Sequence, residues 1–334
     1  MAQEASAAAL EIDPEHLVND NDSALCDVSD ELSTFTQSLT PSVTDYPTEH
    51  GRRYHAYRSG TYILPNDETE LDRLDIMHFL IKKGLGDKIY RAPIPKNPKR
   101  ILDIGTGTGI WSMEMGDMFP DAQILGNDLS PEQPSFVPPN VKFEVDDVED
   151  PWTYNTPFSY IFSRYMATSI ADWPRLIKQV HDNLEPGGWA EFQDFDLLYY
   201  SDDNTMNPDT EIYKWIRHIL DASRKNGRDP CPGPQLEGWL KDAGFQNVHH
   251  ERIKFPIGPW PKDKQKKELG MFNLMQTLQG LEGYSLRLFT QVLGWRLEEV
   301  QVSLAKVRNE IMSKWLHSQF DLHVVYAQRP EAKA

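Results

Sequence analysis

The segment Arg100-Ile-Leu-Asp-Ile-Gly-Thr-Gly-Thr-Gly109 constrains this chain more than any other. A short apolar run that reads as a buried strand is followed at once by Gly105, Gly107 and Gly109. Glycine takes positive φ without a Cβ penalty and lets a ligand approach the main chain, so the run marks a tight strand-to-helix turn. The helix expected over 109–118 points free N–H groups into that turn, favouring a carboxylate or phosphate.

The rest of the chain repeats this unit. Leu71, Leu74, Ile76, Phe79 and Leu80 recur at helical spacing, Gly84 and Gly86 end that helix, and Pro93, Pro95 and Pro98 mark a loop. After the first strand and helix, strands are predicted over 122–126, 141–145 and 158–162. A helix over 173–184 leads through Gly187-Gly188 to a strand over 189–195. Strands alternating with helices imply parallel pairing and right-handed crossovers. Beyond Asp196 the alternation breaks. An insertion over 202–230 holds a helix near 212–220, and a helix over 235–243 and a strand over 248–255 follow. Residues 264–316 read as three helices broken near Gly283 and Gly294, before a last strand over 322–327. The late helices are expected over the carboxyl edge of the sheet, where such sheets bind ligands.

Three details narrow the ligand. A phosphate-binding P-loop needs Gly-Lys-Ser/Thr, which is absent here. The dinucleotide fingerprint places its third glycine at 110, where this chain has Ile110. Asp103 stands in front of the loop, where a carboxylate suits an ammonium group and opposes a pyrophosphate. Asp128, ending the second strand, can accept both hydroxyl protons of a ribose. Asp147, after the third strand, can accept from an adenine amino group, or serve only as turn chemistry.

The succession Asp103-x-Gly-x-Gly-x-Gly109, Asp128, Asp147 and Leu184-Glu-Pro-Gly-Gly188 resembles the class I methyltransferases. Tyr54-His-x-Tyr57, Gly60-x-Tyr62-x-Leu-Pro-Asn-Asp67, Arg73-Leu-Asp75 and Gly109-Ile-Trp111 are similar, more narrowly, to the fungal LaeA-like methyltransferases. The likeness runs from about Gly51 to Phe255. It implies a doubly wound, Rossmann-like α/β sheet of seven mostly parallel strands, with an N-terminal cap of helices over 46–99 and a methyltransferase domain with C-terminal helical cover over 100–334. The helical insertions of that domain are 202–230 and 262–316. The implied cofactor is S-adenosylmethionine. Asp103, Gly105, Thr106, Gly107 and Gly109 would hold its methionine end, Asp128 and Leu129 its ribose, and Asp147 and Val148 its adenine. Ser163 would lie beside the transferred methyl, and Tyr57 and Tyr62 would belong to a cap over the cofactor. The family implies transfer to oxygen or nitrogen of a small molecule in fungal secondary metabolism. Its regulatory members instead act through velvet-type protein partners.

Transfer to a hydroxyl or ammonium requires loss of a proton. Glu191 and Asp194, at the end of the fifth strand, and His55, in the cap, are the candidate bases. Tyr199, Tyr200, Trp215, Trp239, Trp260, Phe272, Tyr284 and Trp295 can line an apolar, partly aromatic acceptor pocket.

Composition agrees with such a role. Eleven Asp and Glu and no Lys or Arg occur between Met1 and Gly51, which accounts for −11 of a formal charge of −17. A polar, one-signed segment cannot repay its ordering entropy, so residues 1–45 are expected to be a disordered acidic tail. The acidic balance argues against direct binding of nucleic acid, and the four lysines between Lys262 and Lys267 are too few to alter that. Cys26 and Cys231 are too few and too far apart for a disulfide framework or a metal site. No apolar run reaches the length of a membrane span, and no signal-peptide pattern is visible. The expected compartment is the cytoplasm, or the nucleus for a regulator.

Overall fold

The computed structural model describes residues 45–58 and 62–332. The expected acidic tail falls outside them except for Asp45, as does Gly60 of the cap motif. The described chain opens with a short antiparallel hairpin, β1 (Thr48–Glu49) and β2 (Arg52–Arg53), followed by α1 (Glu68–Gly84). Asp67 caps α1 by accepting the Glu70 amide at 3.2 Å, and its carboxylate also takes Arg52, fastening hairpin to helix.

The sheet is built from β3 (Arg100–Ile104), β4 (Gln123–Asp128), β5 (Val141–Val145), β6 (Phe158–Arg164), β7 (Leu184–Tyr200), β8 (Gln246–Pro256) and β9 (Gln319–Gln328). Their order is β5-β4-β3-β6-β7-β9-β8, parallel from β5 to β7, with β9 antiparallel to both its neighbours. β3 and β6 are buried along almost their whole length, as parallel strands covered on both faces must be. Two of the helices that cover them are α2 (Ile110–Met118) and α3 (Trp173–Asn183). In α3 the stripe Trp173, Leu176, Ile177, Val180 is buried, and Asp172 caps the helix through the Arg175 amide at 3.0 Å.

From β3 the strand order runs outward to β4 and β5, and from β6 it runs the other way to β7. The crevice at that reversal lies beyond the carboxyl ends of β3 and β6, which puts the glycine loop and Ser163-Arg164 side by side.

A second layer consists of α4 (Glu211–Lys225), α6 (Lys264–Arg287) and α7 (Leu297–Ile311), while the short α5 (Leu236–Asp242) leads into β8. The Trp215 indole donates to Ser285 at 2.9 Å and ties α4 to α6, and α6 packs along α1. The cap over 46–99 thus holds one helix and a hairpin rather than several helices. The stretch expected to hold three helices holds two. Gly283 does not interrupt α6, because a Cβ there would stand 3.3 Å from Glu70 and 3.4 Å from Arg52, and that close packing supports the helix. The break comes at the wider turn Leu288–Val292 and at Gly294, whose φ is +74°.

Candidate active site

The glycine loop is shaped by what lies beneath it. Gly109 has φ +77°, and a Cβ there would stand 2.7 Å from the Phe143 ring, so the position is closed to other residues. Gly105 has φ +65° and faces the Met166 side chain. Asp103 is buried and accepts from the hydroxyls of Thr106 at 2.6 Å and Ser112 at 2.8 Å. Desolvation pushes its carboxyl up to about 6, against the pull of those two hydroxyls. From β4, the Asp128 carboxylate accepts the Gly107 amide at 2.9 Å and the Ser130 amide at 3.1 Å. The Leu129 amide also turns toward this carboxylate, which still leaves acceptor capacity for a ribose hydroxyl.

These parts border one cavity. Among the residues proposed from sequence it is lined by Tyr62, Gly105, Thr106, Gly107, Asp128, Leu129, Asp147 and Val148. The carboxylate of Asp147 is partly engaged, accepting Arg58 at 2.9 Å and the Glu149 amide at 3.0 Å. Four residues do not line the cavity. Gly109 starts α2 from below, and Asp103 turns inward to the loop it organises. Tyr57 stands beside Arg58, and Ser163 is buried in register with Ile104, its Oγ without a hydrogen-bond partner.

The three candidate bases have other employment. Glu191 is fully buried and accepts the amides of Arg91 and Ala92 at 2.8 and 2.7 Å and the Tyr160 hydroxyl at 2.9 Å. It pins the 89–92 loop to β7 and borders neither cavity. Asp194 accepts the amides of Met166 at 2.8 Å, Ala167 at 3.1 Å and Phe195 at 2.8 Å, which fixes the turn that carries Met166 against Gly105. His55 is buried with its Nε2 3.3 Å from the Arg58 carbonyl, and desolvation lowers its basicity. Neither Asp194 nor His55 lines a cavity.

A second cavity adjoins the first and shares Tyr62, Met77 and Tyr165 with it. Beyond that shared wall it is mostly aromatic and aliphatic, with Phe195, Tyr199, Trp215, Tyr284 and Phe320. Of the aromatic residues proposed for an acceptor pocket, Tyr199, Trp215 and Tyr284 are there, while Tyr200, Trp239, Trp260, Phe272 and Trp295 are elsewhere. Behind its polar corner Arg73 is paired with Glu70 at 2.5 Å and donates to the Tyr165 hydroxyl at 3.1 Å. Among the described residues lining this cavity none is a histidine or a carboxylate.

Sequence reasoning missed His78, Arg164 and Tyr165, which all line the first cavity. For Arg164-Tyr165 one signal was available, their place at the carboxyl end of β6. For His78 there was none, since it reads as one more residue of an amphipathic helix.

Comparison with known proteins agrees with this architecture. The family model described as a methyltransferase domain matches residues 78–250. The methyltransferase pytC of Aspergillus terreus is 47% identical over 294 residues, covering 88% of this chain and 91% of that protein. The secondary metabolism regulator LAE1 of Cochliobolus heterostrophus is 34% identical, covering 85% and 94%. The probable methyltransferase tdiE of Emericella nidulans is 32% identical, covering 90% and 94%. This chain belongs to the LaeA-like class I methyltransferases, enzymes that use S-adenosylmethionine.

Proposed function

We propose that the chain methylates an oxygen or nitrogen atom of a small, apolar, partly aromatic acceptor in fungal secondary metabolism. The observation that carries this reading is the pair of adjoining cavities, one bordered by the glycine loop and Asp128, the other by aromatic side chains. The kinship with the secondary metabolism regulator LAE1 supports the metabolic setting.

The residues of the first cavity fit S-adenosylmethionine. In this reading Asp128 and Leu129 take the ribose, and Asp147 with Val148 takes the adenine edge. Gly105, Thr106 and Gly107 receive the methionine end, Gly109 and Asp103 holding that loop in shape from within. Ser163, whose buried hydroxyl is unpartnered, lies under the same end, and Tyr62 and Tyr57 close the cap.

When bound, the cofactor supplies a methyl group on a sulfonium, already activated for in-line displacement. What remains for the chain is alignment and exclusion of water, and positioning of this kind supplies roughly 7–11 kcal/mol of a barrier. The shared wall of Tyr62, Met77 and Tyr165 is where an acceptor in the second cavity would face the donor. Tyr62, Tyr165, Tyr199, Tyr284, Thr168, Gln276 and Trp215 are the lining residues of that cavity with polar side-chain atoms, the Trp215 indole already bound to Ser285. They can orient an acceptor by hydrogen bonds, and the aromatic walls hold its apolar part. Mass spectrometry of a fungal metabolite pool incubated with the enzyme and isotopically labelled cofactor tests the reading. One or a few small molecules should gain a single labelled methyl group, and an unlabelled pool would count against it.

A second reading, regulation through velvet-type protein partners, is supported by the 34% identity to a secondary metabolism regulator. Capture of a velvet protein together with an unlabelled metabolite pool would favour it. For either role we place the chain in the cytoplasm or nucleus, in keeping with its acidic, cysteine-poor composition. Cell fractionation tests that placement.

A further inference from the structure

Arg164 closes β6 at the crevice and lines the first cavity together with Gly105 and Met166. Among the described residues its one side-chain hydrogen bond runs from Nη2 to Nδ1 of His78 at 2.6 Å, and its Nη1 is buried without a partner. His78 brings no negative charge. Its Nε2 stands 3.3 Å from Glu114, which in turn is held by Lys82 at 2.7 Å. Desolvation pushes this imidazole down to about 4, so it is neutral and accepts from the guanidinium. The buried acid Asp103 is occupied by Thr106 and Ser112. The contrast with Arg73 is instructive, because that equally enclosed cation has Glu70 at 2.5 Å.

Asp103, Glu114 and Glu191 act on this guanidinium only at a distance, and a guanidinium removed from water without a directly bonded carboxylate is costly. Desolvation accordingly lowers Arg164 to about 10, against the pull of Asp103, Glu114 and Glu191. A cation kept in that state on the wall of a ligand cavity is matched by an anion on the ligand, and the planar fork of arginine suits a carboxylate. S-adenosylmethionine has one such group, at the end that the glycine loop receives. We propose that Arg164 pairs with the carboxylate of the cofactor's methionine end and that His78 holds the guanidinium in position for it. The inference rests on the cofactor's placement in the first cavity. An anionic acceptor is the other conceivable counter-charge, but Arg164 lines the first cavity and not the second.

The test is a thermodynamic cycle by calorimetry. Wild type and Arg164→Gln are each titrated with S-adenosylmethionine and with decarboxylated S-adenosylmethionine, which lacks only the carboxylate. The variant should lose about tenfold to a hundredfold in affinity for the intact cofactor and about twofold or less for the decarboxylated one. Equal losses for both ligands, or no loss for either, would overturn the assignment. If Arg164→Gln does not fold, Arg164→Lys is read through the same cycle. It keeps a cation, so it should still discriminate between the ligands but less than wild type; unchanged discrimination would overturn the assignment. Failure of wild type to bind the intact cofactor would instead overturn the underlying placement.

Discussion

The Tyr165 hydroxyl stands 3.0 Å from the Tyr284 hydroxyl, and Tyr284 donates to Gln276 at 3.1 Å. With Arg73 behind it, this line of groups fixes the wall shared by the two cavities. Tyr165→Phe keeps the ring and removes the anchor. Urea unfolding should register a loss of about 1–3 kcal/mol, since both the bond with Tyr284 and the one from the Arg73 guanidinium go. The acceptor KM should rise several-fold while S-adenosylhomocysteine affinity stays within about twofold, since no cofactor contact is assigned to that hydroxyl. Equal loss of both affinities would contradict the division of labour.

Glu191 answers two loop amides and a tyrosine hydroxyl from inside the sheet. Glu191→Gln turns a donor toward donors and should cost about 2–4 kcal/mol in chemical denaturation. In the folded fraction kcat should change by about twofold or less. A drop of about 10²–10⁴ without loss of stability would restore it as a general base.

Asp194 carries a pH signature. Burial pushes its carboxyl up to about 7, against the pull of the Phe195, Met166 and Ala167 amides, from an ordinary value of 3.8. The unfolded chain therefore releases this proton earlier in a pH rise than the folded chain does. The group's contribution to stability is full below pH 4 and declines as pH rises from about 4 to 7. Thermal midpoints measured across that window should fall less steeply in Asp194→Asn than in wild type. An identical slope would show that this carboxyl is ionised in the fold throughout.

The parts of the molecule legible in the sequence are those governed by short-range pattern. Strands β3 to β6 showed as apolar runs between turn residues, and Asp128 and Asp147 stood out because each follows a strand end at the same edge. Glu191 and Asp194 were legible as positions but not as roles, because the 89–92 and 166–167 loops that cover them return from elsewhere in the chain. Arg164 and His78 meet across 86 residues of sequence, and only the crossing of α1 over the end of β6 creates that contact. The helical layer was hardest to divide, since tertiary packing carries α6 through Gly283 where local propensity would end it.

Every role assigned in the first cavity depends on Asp128 as the ribose acceptor at the mouth of the glycine loop. Calorimetry of wild type and Asp128→Asn with S-adenosylhomocysteine, and of wild type with NAD, addresses it most directly. Wild type should bind one equivalent of S-adenosylhomocysteine, the variant should bind about tenfold to a hundredfold more weakly, and NAD should give no heat. Undiminished binding by the variant, or binding of NAD as tight as that of S-adenosylhomocysteine, would contradict it.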